Sequence, residues 1–204
     1  MRPHPPKPAD RPTPGPADEP ASDEQLLARF VSGDEAALGE LAQRYESAMV
    51  GLAAGIVGGP SRDRTAAMDA VQETWVRVIR HGHTYDGRAS VKTWMYTILT
   101  NVCRDRRRRD AARRTRERTR RTVEQHAAAA IDPRVLEAVA DLEEPGRETV
   151  VLCFHRGLTH AQAADVLGVP LGTVKSRLHK AMTRLRERLG EQLRVDTDAR
   201  GAMT

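Results

Sequence analysis

The sequence predicts an all-α fold: two small helical domains joined by a flexible basic linker, the second containing a helix-turn-helix. Three observations point there. Runs of β-branched residues with strand alternation are nearly absent, while apolar residues recur at spacings of three and four. Aromatic residues make up only 3% of the chain, and Ala and Arg are abundant. Several of the apolar runs are preceded by capping residues and followed by glycine.

The elements follow in order. Eight prolines fall in the first 20 residues. Such a segment cannot pack a core, and residues 1–21 are predicted to be a disordered tail. Ser22 and Gln25 have capping-box spacing, and Leu26, Leu27 and Phe30 give the first helix its apolar face. "SGD" breaks the chain. Asp34 can then cap a longer helix bearing Leu38, Leu41, Tyr45, Met49, Leu52 and Ile56. "GGPSRDR" ends it. A third helix is predicted from about Thr65 to Arg80, followed by the polar loop "HGHTYDGRAS". Ser90 can cap a fourth helix carrying Val91, Trp94, Met95, Ile98 and Val102. The first domain thus spans residues 22–110.

Between Arg104 and Arg121 there are 11 arginines and three acids, with almost no apolar content. This stretch reads as linker or as a fraying extension of the fourth helix, and residues 111–131 are assigned to the linker. A second helical unit, residues 132–189, opens with Asp132 as cap and Pro133 in the first turn. "EPGRETVVLCFHRG" is predicted to be one helix stopped by Gly157. Thr159 and Gln162 repeat the capping-box spacing ahead of a short helix, a tight turn at 168–170 and a final helix. Residues 190–204 are polar and expected to fray. No internal repeat is visible.

The last of these helices, "LGTVKSRLHKAMTRLR", carries the strongest functional signal. Val174, Leu178, Ala181 and Leu185 form one apolar stripe. Opposite stand Thr173, Ser176, Lys180 and Arg184, flanked by Lys175, Arg177 and His179, with no carboxylate before Glu187. A short helix with small Ala163 and Ala164, then Gly168, then this amphipathic helix, is helix-turn-helix grammar. Its outer face suits a DNA major groove: cations meet phosphates or guanine edges, and hydroxyls donate to either. The bland alternative is a solvated face in a helix bundle.

Two further faces are candidates. In "DAVQETWVRVIR", Val71, Thr74, Trp75, Val78 and Ile79 point toward a core. Asp69, Gln72, Glu73, Val76 and Arg80 share the opposite arc, an acidic stripe with an exposed valine that suits a basic protein partner or is simply a wet surface. In the fourth helix Trp94, Thr97 and Asn101 share an edge, and Thr93, Thr100 and Arg104 extend its polar side. Next to a loop with Tyr85 and Arg88, this edge could hold a base out of its stack. Equally, Trp94 could be core and Asn101 solvated.

Other classes find little support. Cys103 and Cys153 are 50 positions apart (153 − 103) without a C-x-x-C, so no disulfide framework is expected and a reduced cytoplasm fits. Cys153, His155 and His160 match no zinc-ligand spacing, and no metal or cofactor is expected. There is no phosphate-cradling glycine loop, paired helical histidine or nucleophile motif, so no enzyme is expected. "MRPHPPKPAD" lacks the apolar core of a signal peptide. "AMVGLAAGIVGG" is too short and glycine-rich to span a bilayer, and membrane insertion is not expected.

Taken together, "GDEAAL…LAQRY", "DAVQETWVRVIR", "YDGRASVKTWMYTILTNVCRDRRRR" and "GLTHAQAADVLGVPLGTVKSRLHKAMTRLRERL" resemble an extracytoplasmic-function (ECF) sigma factor of bacterial RNA polymerase. The order and spacing hold from about residue 22 to 189. The resemblance implies a first domain that binds core polymerase and melts the promoter −10 element, and a second that reads the −35 element as duplex. The polymerase clamp coiled coil would be met by Asp69, Gln72, Glu73, Val76 and Arg77, and the flap would be a further contact. The −10 site would be Thr84, Tyr85, Asp86, Gly87, Arg88 and Ser90 with Trp94 and Asn101. The −35 site would be Thr173, Lys175, Ser176, Arg177, His179 and Lys180. An anti-sigma protein is a further implied partner. Two other readings stay open from the residues alone: a stand-alone helix-turn-helix regulator, which would leave the first 130 residues without a role, and an interaction bundle.

Overall fold

The computed structural model describes residues 20–57, 64–116 and 133–201. Most of the proline-rich tail, most of the linker and the Asp132 cap fall outside the described residues. Within them every regular element is helical. Helix α1 (Asp23–Val31) begins at a full capping box: the Gln25 amide donates to Ser22 Oγ at 3.2 Å and the Ser22 amide to Gln25 Oε1 at 2.8 Å. Gly33, at φ 102°, makes the break that follows. Helix α2 (Glu35–Val57) starts at Asp34, whose Oδ1 accepts from the Ala36 amide while Oδ2 takes Arg29. Helix α3 (Arg64–His81) leads into a 3₁₀ turn at Gly82–Thr84. Helix α4 (Val91–Arg116) is capped by Ser90 Oγ, which accepts from the Thr93 amide at 3.2 Å. It runs well past Arg104, so the arginine-rich run begins as an extension of this helix.

The second unit holds α5 (Pro133–Ala140), α6 (Glu144–Val150), α7 (His160–Leu167) and α8 (Leu171–Gly201). Two expectations need correcting here. The helix predicted over 144–157 is not uniform: after Val150 it widens into a π turn, Val151–His155, in which the Arg156 amide reaches the Val151 carbonyl five residues back. The wider turn lets Val151 and Leu152 both face inward while Phe154 is turned out, 65% exposed. The chain also stays helical beyond Gly190, to Gly201, rather than fraying. The packed turns before it have already nucleated the helix, so each further residue adds a bond without a new nucleation cost.

One apolar cluster joins α1 to α2, α3 and α4 through Leu26, Leu27, Leu41, Val78, Val91 and Met95. A second does not stop at the domain boundary. It runs from Met49, Leu52 and Ile56 of α2 and Leu99 and Val102 of α4 into Val151, Leu152, Leu167 and Val174 of the second unit. Helix α7 lies against α4, and α6 with its π turn lies against α2. The two units therefore share a continuous core, a relationship the sequence does not announce.

The α2 surface at this seam is shaped by two glycines. A Cβ on Gly55 would lie 2.8 Å from Val151 Cγ1, and one on Gly51 would collide with the Arg156 guanidinium. Their spacing of four residues puts both on one face of α2; at Gly55 the bare backbone makes room for the branched Val151, while at Gly51 the neighbour is the movable end of Arg156.

Candidate nucleic-acid interface

The helix-turn-helix is built as its sequence predicts. Thr159 caps α7 with a full capping box, Gln162 answering Thr159. Gly168 ends α7 in the left-handed region at φ 64°, a conformation that favours glycine. Ala163 and Ala164 are buried, so α7 and α8 cross closely. Val174, Leu178, Ala181 and Leu185 are all buried, which fixes the rotation of α8. Lys175, Ser176, His179 and Lys180 are consequently exposed, with Thr173 and Arg177 half-buried at the edges of the face. Ser176 Oγ donates to the Thr173 carbonyl at 3.0 Å and can still accept.

One feature of this face is absent from its local sequence. Glu143, just before α6, takes Lys180 at 3.4 Å and Arg184 at 2.9 Å. The Arg184 and Lys180 hydrogen bonds hold its carboxyl below the usual range. The cationic helix therefore has a carboxylate after all, supplied from another element. Lys175, Arg177 and His179 have no acidic partner among the described residues.

The loop before α4 is ordered by its own side chains. Tyr85 Oη donates to the Ala89 carbonyl at 2.6 Å, and the Tyr85 ring meets Trp94 edge-on at 5.6 Å between centroids. Asp86 accepts from the Arg88 amide and pairs with its guanidinium at 3.2 Å. Gly87 stands at φ 75° with open space around it. Thr84 Oγ1 donates to the His81 carbonyl at 2.7 Å. Trp94 is thus half-buried, braced by Tyr85 with part of its surface left open. Asn101 is exposed, and its amide is unbonded among the described residues. It lies about 10 Å along the helix from Trp94, at roughly 1.5 Å per residue. Thr93 and Thr100 do not extend the polar side as expected; both are buried.

On α3 the acidic arc is only partly bare. Arg106 of α4 reaches Asp69 at 3.3 Å and Glu73 at 3.2 Å, and Arg77 pairs with Glu73 at 2.8 Å. Burial raises the Glu73 pKa, but the Arg106 and Arg77 hydrogen bonds and charges outweigh it, and the net shift is downward. Gln72 is exposed, and Val76 stands open at 44%. Ile79, expected in the core, is 52% exposed. It sits a 100° step beyond Val78, where the core-facing stripe closes. Exposed Met68, Val76 and Ile79 give this face an apolar centre beside its charges. Arg106 was not among the residues picked out by sequence, since its role depends on α4 lying across α3.

Comparison with known proteins separates the open readings. Residues 41–114 match the model of Sigma-70 region 2, and residues 138–187 that of Sigma-70 region 4. An ECF RNA polymerase sigma factor, SigM of Mycobacterium tuberculosis, is 33% identical over 175 residues, covering 83% of this chain and 85% of that protein. The chain belongs to the ECF sigma factors of RNA polymerase. A second such factor, RpoE of Cereibacter sphaeroides, is 30% identical over 76% of this chain and 88% of its own length. Among solved structures, CnrH in complex with the cytosolic domain of CnrY aligns with a TM-score of 0.64 at 27% identity, covering 83% of this chain and 97% of that one. RpoE of Bartonella quintana, solved with the anti-sigma factor NepR, shares the fold with a TM-score of 0.65 at 24% identity, covering 75% and 96%. As a sigma factor the chain is a non-catalytic subunit that serves promoter recognition. The three described surfaces fall within the two matched regions: the α3 face, the α4 edge and its loop in region 2, the α8 face in region 4.

Proposed function

We propose that this sigma factor divides promoter recognition between two surfaces. The outer face of α8 reads −35 duplex through Lys175, Ser176, Arg177 and His179, with Thr173 and Lys180 at its margins. The loop of residues 84–90, Trp94 and Asn101 hold an unpaired base of the −10 element. Asp69, Gln72, Glu73, Val76 and Arg77 meet the clamp of core polymerase. The observation that supports this reading is that one chain carries an exposed helix-turn-helix face and, apart from it, a braced tryptophan followed two turns on by an amide unbonded among the described residues. A duplex-only regulator has no use for the second.

A cytoplasmic location follows from this role, and no described helix is long and apolar enough to cross a membrane. A protein partner besides core polymerase, the place an anti-sigma protein would take, is supported by CnrH, a structural relative solved with the cytosolic domain of CnrY. The test is initiation with core polymerase on a fork-junction promoter, with and without matched −35 sequence. Promoter-dependent transcripts that require both elements support the reading. Tight −35 binding with no gain in initiation would return the chain to a duplex-binding regulator.

A further inference from the structure

We propose that α1 is the positioning element of the −10 site: Glu24, Leu27 and Val31 hold both ends of the loop that presents Tyr85 and Trp94. The inference rests on the −10 reading proposed above. Helix α1 lies ahead of residues 41–114, the stretch that matches Sigma-70 region 2. Spacings of three and four put the three residues on one side of α1, over about 10 Å of helix. At one end of that side the Val91 amide donates to Glu24 Oε1 at 3.4 Å. At the other, Leu27, Phe30 and Val31 converge on Gly82. A Cβ there would lie 3.5 Å from Leu27 Cδ1 and Val31 Cγ2 and 3.6 Å from Phe30 Cε1. Gly82 opens the loop and Val91 closes it.

Each contact supplies something that the loop and α4 lack. The first turn of α4 holds no acidic residue, and Ser90 Oγ accepts from the Thr93 amide. Val91 is the first helical residue, so its amide has no partner within α4. Glu24 brings a carboxylate to it from another helix, at the end where the helix dipole favours negative charge. Glu24 also stands near Tyr85. Burial, then the Glu24 and Asp86 charges, raises the Tyr85 pKa, which keeps the hydroxyl a donor to the Ala89 carbonyl. At the loop entry the contacts are apolar. Leu26 and Leu27 share a buried cluster with Val91 and Met95, and Tyr85 and Trp94 pack at its edge. Helix α1 is in turn pinned to α2 by Asp23, which accepts from the Tyr45 hydroxyl and from Arg44 Nη1 at 3.0 Å. A loop fixed at both ends has little freedom left to lose when a base enters, and that preorganisation favours capture.

Variants of Glu24 test this in the full chain, since the side chain is exposed and its loss leaves the core intact. Glu24→Ala should slow open-complex formation on closed duplex about fivefold, the scale of a lost helix cap. Core binding and −35 duplex binding should be unchanged, and a pre-melted bubble should restore most of the loss. Glu24→Gln keeps an acceptor oxygen and should retain most of the opening rate. Two readouts follow the loop itself. Hydrogen exchange of the Val91 amide should speed up several-fold in Glu24→Ala and stay slow in Glu24→Gln. In a Trp75→Phe background Trp94 is the one tryptophan left, and acrylamide should quench it more readily in Glu24→Ala. Normal opening by Glu24→Ala overturns the proposal. So do equal losses on duplex and bubble, a Gln variant no better than Ala, or Val91 exchange and Trp94 quenching that do not change. Asn101→Ala, measured in parallel, separates this role from the reading beneath it. If Asn101→Ala opens closed duplex normally, the −10 reading fails and the positioning role with it. If Asn101→Ala is defective while Glu24→Ala is normal, the positioning role alone fails.

Discussion

Arg104 of α4 and Glu148 of α6 form a two-pronged ion pair across the seam: Arg104 Nη2 lies 2.7 Å from Glu148 Oε2, and Nε lies 3.1 and 3.2 Å from the two carboxylate oxygens. Glu148 is 2% exposed, whereas the Arg104 side chain keeps 23% of its surface. The Glu148 hydrogen bond raises the Arg104 pKa further. Removing the carboxylate strands a guanidinium that can still reach water in part. Glu148→Ala is therefore expected to cost about 2–3 kcal/mol, somewhat below the loss from a fully enclosed pair. Arg104→Met with Glu148→Leu should recover much of it. Urea denaturation of the single and double variants gives the coupling energy; strictly additive losses would show that the two side chains do not act together.

The seam should also respond to mild acid. His155 is exposed on one side, but partial desolvation against α2, followed by the nearby Arg156 charge, holds its pKa below its ordinary value of 6.5. The groups facing it are Arg156 on its own turn and the bare Gly51 backbone of α2, with Tyr96 of α4 near Arg156. A histidine with a depressed folded pKa adds stability that is complete above 6.5 and lost as pH falls toward the folded value. Glu73 and Glu143, held below the carboxylate range, change only at lower pH. Stability measured at pH 7.5 should exceed that at pH 5.5, and His155→Gln should flatten the difference. An unchanged slope in that variant would assign the effect elsewhere.

The local signals of the fold were legible in the sequence. Ser22 with Gln25, Asp34, Ser90, Thr159 with Gln162 and the turn at Gly168 are each decided within a few residues, and each caps or turns the chain as its side chain dictates. What escaped depends on which helix lies against which. Thr100 is buried in the packing of α4, Glu143 pairs with Lys180 and Arg184 of α8 from the start of another element, and Arg106 crosses to Asp69. The one available hint was the pair Gly51 and Gly55, four apart in "VGLAAGIV". It reads as weak helix until a partner helix is known to need the space.

On the α3 face the choice of variant matters. Asp69 and Glu73 also hold Arg106, so reversing their charge disturbs α4 as well as any partner. Val76 is exposed and stands among Met68 and Ile79, both open. Val76→Asp should leave folding within about 0.5 kcal/mol and weaken core-polymerase binding by about 2 kcal/mol or more if this apolar centre is buried on docking. A pull-down titration at fixed salt checks it. Unchanged affinity would move the clamp contact off this face.

For α8 the pairing with Glu143 makes Lys180 and Lys175 unequal. Lys175 has no acidic partner among the described residues, so Lys175→Ala should reduce the salt slope of −35 binding by about 1. Lys180 must first leave Glu143. Glu143→Gln should release it, along with Arg184, and steepen the slope. Fluorescence anisotropy across a salt series, on matched and scrambled duplexes, separates phosphate contacts from base contacts. A flat response to Glu143→Gln would mean that Lys180 does not approach the DNA.

The last prediction distinguishes strand opening from duplex binding. A site that opens a promoter must hold an unpaired base well enough to offset unstacking, a cost of about a few kcal/mol. Trp94, braced by Tyr85, offers a partly open ring, and Asn101 offers a donor and an acceptor not engaged by the protein. Asn101→Ala removes the amide without touching α8 or the α3 face. Core binding and −35 duplex binding should be unchanged, while open-complex formation on closed duplex should fall about tenfold, the equivalent of about 1.4 kcal/mol. A pre-melted bubble should restore most of the loss, since the unstacking cost is then already met. Trp94→Ala should be worse on both templates, because the brace for the ring face and part of the α1–α4 core go with it. Permanganate reactivity of the two templates decides, and normal melting of closed duplex by Asn101→Ala would remove this residue from the −10 site.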